Sequence, residues 1–198
     1  MKGRVGRQAS QPLGSSTRFG KVQDLDYSLY WVIHGKLAGR AGPHKFPWDL
    51  RELKATGIGG IVSLDGYVDS AELAAAGIEH LPIYQPMVLL DSEEAAEQFL
   101  EVMPPVLGFI DRCLRRQSAC LIHCYHGCDR SGTVLAASLV ARASLSAEEA
   151  ILHVRKGNPM AMFAPGYAEA VHTFERLYRA NPAAYSVRRA DEPADDSK

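Results

Sequence analysis

Short apolar runs alternate along this chain with segments whose apolar residues recur at helical spacing. Trp31-Val32-Ile33 and Lys36-Leu37-Ala38-Gly39-Arg40 read as two short strands. Pro47 to Leu53 opens a helix with Trp48, Leu50 and Leu53 at near-helical spacing, stopped by Gly57. Ile58 to Leu64 is a β-rich apolar run bounded by glycines, hence a buried strand. Ser70 reads as the cap of a short helix over 71–76 that ends at Gly77, and Ile78 to Ile83 as the next strand.

Ser92 followed by Glu93 and Glu94 suits a helix start, because the hydroxyl can cap and the acids favour the positive end of the dipole. A long helix to about Arg116 is expected, kinked or split at Pro104-Pro105. Ala119 to His123 is a short apolar strand, and Gly132 to Val140 is apolar nearly all round, which predicts a central buried helix. Ser146-Ala147-Glu148-Glu149 has the capping-box pattern, and Pro165-Gly166-Tyr167 opens a last helix through Tyr178. Strands alternating with helices imply an α/β fold: a central, mostly parallel sheet of four or five strands, helices on both faces and a helical C-terminal third.

Composition narrows the function. The 198 residues are 46% hydrophobic, enough for one domain with a real core. Residues 21–182 form that domain, between expected disordered tails at 1–20 and 183–198 that offer little to bury. A net charge of -1, from 22 basic and 23 acidic residues, provides no general attraction for nucleic acid or anionic membrane. Nothing resembles a signal peptide or reaches the ~18 apolar residues of a membrane span. Cys113, Cys120, Cys124 and Cys128 crowd into one stretch instead of stapling distant segments, which fits reduced thiols in a cytoplasmic monomer.

The chemistry concentrates in His123-Cys124-Tyr125-His126-Gly127-Cys128-Asp129-Arg130-Ser131-Gly132-Thr133, between a strand end and a helix start. Open α/β sheets bind ligands there. Backbone N–H groups turned inward, with the positive end of a helix dipole behind them, make an oxyanion cradle. A cysteine opening that cradle gains the same stabilisation as a thiolate. Arg130, six positions after Cys124, can hold two phosphoryl oxygens with its planar fork. Ser131 can donate to the sulfur, and Gly127 permits a left-handed turn. The other loop residues, Tyr125, His126, Cys128 and Asp129, are candidate lining of a phosphate pocket.

Cys124, five intervening residues, Arg130 and Ser131, preceded by His123, resemble the signature of cysteine-based protein tyrosine and dual-specificity phosphatases. The order of elements over about 27–180 resembles small atypical dual-specificity phosphatases, including the Lys36–Arg40 strand and the Pro165-Gly166-Tyr167 helix start. The resemblance implies a phosphocysteine intermediate, no metal and no organic cofactor. It also implies a phosphorylated protein or a small phosphoester as substrate.

The family takes its general acid from an Asp on a loop well before the cysteine. Asp91 is the first candidate here, with an accessory helix cap as its structural alternative. The sequence departs from the pattern, because the strand ending Leu81-Pro82-Ile83 is followed by Tyr84-Gln85-Pro86, where relatives commonly place the Asp. Asp129 is the rival, since some lipid-directed and bacterial relatives carry Asp just before the loop arginine; Asp65 and Asp69 lie further from the pattern. Cys120 and Cys128 are each candidates to trap an oxidised Cys124. Asn158 reads first as turn chemistry, then as a group positioning the hydrolytic water.

Other readings stay open. His123, Cys124, His126 and Cys128 could suggest zinc, although adjacent strand residues face opposite ways. Phosphoinositides are an alternative substrate: Asp129 points toward them, the absence of loop lysines away. RNA 5′-triphosphatases of this superfamily also carry His at the position of His126, but the broad basic surface that RNA requires is missing. Loss of the acid at Gln85 leaves room for a phosphate-binding pseudophosphatase, and a loop cysteine for sulfur transfer.

Overall fold

The computed structural model describes residues 29–185. The expected tail at 1–20, residues 21–28 of the expected domain, and 186–198 of the expected C-terminal tail lie outside this range. Residues 183–185 of that tail fall inside it, in the 3-10 turn Pro182–Tyr185. Tyr185 packs edge-on against Phe174 there.

Five strands, β1 (Tyr30–Ile33), β2 (Leu37–Ala41), β3 (Ile58–Ser63), β4 (Glu79–Pro82) and β5 (Ala119–Cys124), form one sheet in the order β1-β2-β5-β3-β4. Only the β1–β2 pair is antiparallel. β5 therefore lies between two parallel neighbours, and all six of its residues are buried. Side chains alternate across a strand. Ala119 and Leu121 join a core with Leu53 of α1 (Leu50–Ala55) and Leu73 of α2 (Ser70–Ala75). Cys120, Ile122 and Cys124 face the larger core, beneath α3 (Glu93–Leu100), α4 (Met103–Arg115), α5 (Asp129–Ala143), α6 (Ala147–Gly157) and α7 (Tyr167–Ala180). Helices thus cover both faces, and Cys124 and His123 occupy opposite ones.

Local chemistry accounts for the boundaries. The expected long helix is two, α3 and α4, with Pro104 and Pro105 in the first turn of α4, where a missing N–H costs nothing. Ser92 caps α3 through the Ala95 N–H, and Ser146 with Glu149 forms the expected capping box of α6. The cap of α2 is Asp69, which accepts from the Ala71 N–H, and not Ser70. Ser70 Oγ instead contacts His80 Nδ1 at 2.7 Å. The first helix begins at Leu50, after the Asp49 cap, later than the Pro47 start expected from spacing. α5 begins at Asp129, earlier than the apolar run suggested, because its first turn belongs to the loop. Every residue from Arg130 to Val140 on α5 is buried, which explains why it is apolar all round.

Candidate active site

β5 ends at Cys124 and α5 starts at Asp129, so the intervening turn stands at the carboxyl edge of the sheet. Gly127 has φ +71°, in the left-handed region. A Cβ there would fall 2.4 Å from the Arg40 carbonyl carbon and 2.5 Å from the Ala41 nitrogen, so the turn is pressed against the end of β2. The left-handed turn is one reason for glycine here, and the close approach of β2 is a second.

Cys124 is 2% exposed, with its Sγ 3.4 Å from Ser131 Oγ. Ser131 sits in the first turn of α5, so the thiol faces a hydroxyl and the helix's N–H end together. The Arg130 guanidinium is anchored from behind: Nη1 donates to the Leu64 carbonyl at 3.1 Å and to the Gln85 carbonyl at 2.7 Å. The Gln85 backbone thus supports the arginine, a role its amide side chain gave no reason to expect. Tyr125 and His126 are exposed and pack edge-on. Burial and the nearby Lys45 lower the His126 pKa.

The two acid candidates sit differently. One oxygen of Asp129 accepts from the Ala164 N–H at 2.9 Å, tying the loop to the segment before α7. Asp91 is exposed at the end of the 83–91 segment, and Ser92, not Asp91, supplies the capping oxygen of α3. That segment lies against the start of α7: Tyr167 donates its hydroxyl to Val88 O at 2.9 Å, and Leu90 O touches the position a Gly166 Cβ would take. Asp65 is buried with His123 Nδ1 3.7 Å from its Oδ2. Burial raises the Asp65 pKa, partly offset by the Tyr67 backbone and Arg130. Burial likewise pushes His123 down to about 3, so its ring is neutral and the contact is not an ion pair.

Several residues here had no sequence signal, because distant segments supply them. His123 Nε2 meets Ser63 Oγ at 2.6 Å, Ser63 Oγ meets His80 Nε2 at 2.7 Å, and Trp48 stands edge-on to the His123 ring. Tyr30 donates its hydroxyl to Gly127 O at 2.9 Å. Asn158 does act as turn chemistry, accepting from the Met160 N–H, and it also donates to Gly127 O at 3.1 Å.

The cysteines divide in two. Cys120 contacts Cys113 in the core, and four strand residues put it about 13 Å from Cys124. A disulfide needs Cα atoms within about 7 Å, so Cys120 is not a trap for Cys124. Cys128, across the loop, is half-buried and its pKa is raised, chiefly by burial. Among the described residues no three His, Cys, Asp or Glu side chains converge as metal ligands. Among the described residues no helix is long and apolar enough to cross a membrane.

The family model described as "dual specificity phosphatase, catalytic domain" matches residues 65–177. Among curated proteins, dual specificity phosphatase 28 of Homo sapiens is 28% identical over 88 residues, 44% of this chain and 50% of that protein. Phosphatidylglycerophosphate phosphatase PTPMT2 of Arabidopsis thaliana is 29% identical over 140 residues, 69% of this chain and 59% of that protein. The chain thus spans between half and three fifths of the length of these relatives. Among solved structures, Tk-PTP in the active form is similar with TM-score 0.59 and 28% identity, covering 75% of this chain and 97% of that one. PTPMT1 in complex with PI(5)P shares the fold with TM-score 0.63 at 20% identity, covering 80% and 100%.

Proposed function

Because this chain belongs to the dual specificity phosphatase catalytic-domain family, we propose that it hydrolyses phosphomonoesters of protein side chains through a phosphocysteine intermediate. The observation that carries this reading is the Cys124 thiol, buried at the end of β5 and 3.4 Å from the Ser131 hydroxyl at the start of α5. The Cys124 thiolate attacks phosphorus in line with the leaving oxygen, and sulfur takes the phosphoryl group. Arg130 and the loop N–H groups, with Tyr125 to Cys128 lining the turn, stabilise the equatorial oxygens. Water then attacks the phosphocysteine and releases inorganic phosphate, while Ser131 donates to the departing sulfur.

Asp91 is the proton donor to the leaving oxygen in this scheme. It lies on the segment whose Gln85 carbonyl holds Arg130, whereas Asp129 is engaged as a strut to Ala164. The test is hydrolysis of two aryl phosphates, one with a good and one with a poor leaving group. Asp91→Asn should slow the poor one by ~10²-fold or more and spare the good one. The same selectivity in Asp129→Asn, and not in Asp91→Asn, would transfer the role to Asp129. A wild type that binds phosphate but turns over neither substrate would make the chain a binding module.

A second reading rests on the rim. Tyr84, Met87, Leu89 and Phe163 are 65–76% exposed on the two segments tied to the loop. Such a rim suits a phosphate carried on an apolar molecule, and one relative is named for phosphatidylglycerophosphate. Turnover of a vesicle-borne lipid phosphate exceeding that of phosphopeptides would favour this substrate class. Four free thiols support a reducing, cytoplasmic setting.

A further inference from the structure

The Gly127 carbonyl is held by two donors from opposite ends of the chain. Tyr30, the first residue of β1, donates its hydroxyl at 2.9 Å, and Asn158, the C-cap of α6, its amide at 3.1 Å. Neither contact is a by-product of local turn geometry, since the partners lie 97 and 31 positions from Gly127. Space is reserved for the ring: a Cβ on Gly39 would stand 2.3 Å from Tyr30 Cζ, and one on Gly157 3.3 Å from Cδ2. Burial above all, and then the negative charge of an ionised Cys124, raise the pKa of this hydroxyl and favour its role as a donor.

A peptide unit is planar and trans, so the carbonyl of Gly127 and the N–H of Cys128 point opposite ways. We propose that Tyr30 and Asn158 are positioning residues that grip this carbonyl and thereby turn the Cys128 N–H into the cradle that receives phosphate and stabilises the Cys124 thiolate. With both acceptor directions filled, the peptide has no reason to flip when the loop is empty. The loop is then preorganised for the anion, and the glycine that made the turn possible does not make it loose. The proposal rests on reading the Cys124 loop as a phosphate site and adds the residues that set its shape.

The test avoids turnover. Iodoacetamide alkylates Cys124, and inorganic phosphate protects it, so protection measures anion affinity and the rate at pH 6 relative to pH 9 measures thiolate stabilisation. Tyr30→Phe and Asn158→Ala, separately and together, are compared with wild type, with folding checked by circular dichroism. Each single change should weaken phosphate protection by about threefold to tenfold, in line with the loss of one hydrogen bond. The double change should exceed the product of the two and lower the pH 6 to pH 9 ratio. A folded double variant with wild-type protection and an unchanged ratio, even with a lower melting temperature, would make the contacts purely structural and overturn the proposal. If phosphate fails to protect wild-type Cys124, the phosphate-site reading itself falls and this proposal with it.

Discussion

Replacing Gly127 by alanine separates the two reasons for a glycine at the turn of the loop. At φ +71° an L side chain costs about 1–2 kcal/mol from its own backbone. The new Cβ would also sit 2.4–2.5 Å from the Arg40 carbonyl and the Ala41 nitrogen, against an ordinary separation of about 3.5–4.0 Å. The obstacle is backbone of β2, in register with β5, and not the end of a flexible side chain, so the loop must move by roughly 1 Å. Such overpacking adds about 1–3 kcal/mol. Gly35 is the internal control: its φ is +67°, and nothing lies within 4 Å of an added Cβ. Gly35→Ala should cost only the conformational part and leave activity intact. Gly127→Ala should cost about 2–5 kcal/mol in urea unfolding. It should also lower kcat/KM for an aryl phosphate about 10²-fold, the usual effect of a 1 Å displacement at a reacting centre. If the two variants lose equal stability and both keep wild-type kcat/KM, the close packing of the loop on β2 carries no functional weight.

Two other outcomes follow from buried groups. His123 is neutral in the fold and protonates near pH 3, whereas in the unfolded chain it protonates near its ordinary value of 6.5. The unfolded state therefore takes up the proton first as pH falls, and stability should decline from about pH 6.5 downward by up to about 1.4 kcal/mol per pH unit. Urea unfolding between pH 7.5 and 5 reads this slope, and an equal slope in His123→Gln would refute the assignment. Mild peroxide should convert Cys124 to a sulfenic acid that condenses with the Cys128 thiol, losing water. Peptide mapping should show a Cys124–Cys128 bridge, and a Cys120–Cys124 bridge would contradict the strand spacing between those two residues.

The alternation of short apolar runs with helical patterns was enough to read the sheet, its order of elements and the helical last third, because burial imposes period two on strands and near 3.6 on helices. The loop was equally legible, since Cys124, Gly127, Arg130 and Ser131 lie within eight consecutive positions and the chemistry proposed for them follows from residue type and spacing. Helix caps were readable where the sequence offered one candidate, as at Ser92, and ambiguous where it offered two, as at Asp69 and Ser70. The tertiary structure alone decided what surrounds the loop. Tyr30, Asn158, Ser63 and the carbonyls of Leu64 and Gln85 reach it from elements far apart in sequence, with His80 behind Ser63. Backbone carbonyls are chemically the same at every position, so no sequence pattern marks the two that hold Arg130. Only the packing of β3 and the 83–91 segment beside α5 brings them there.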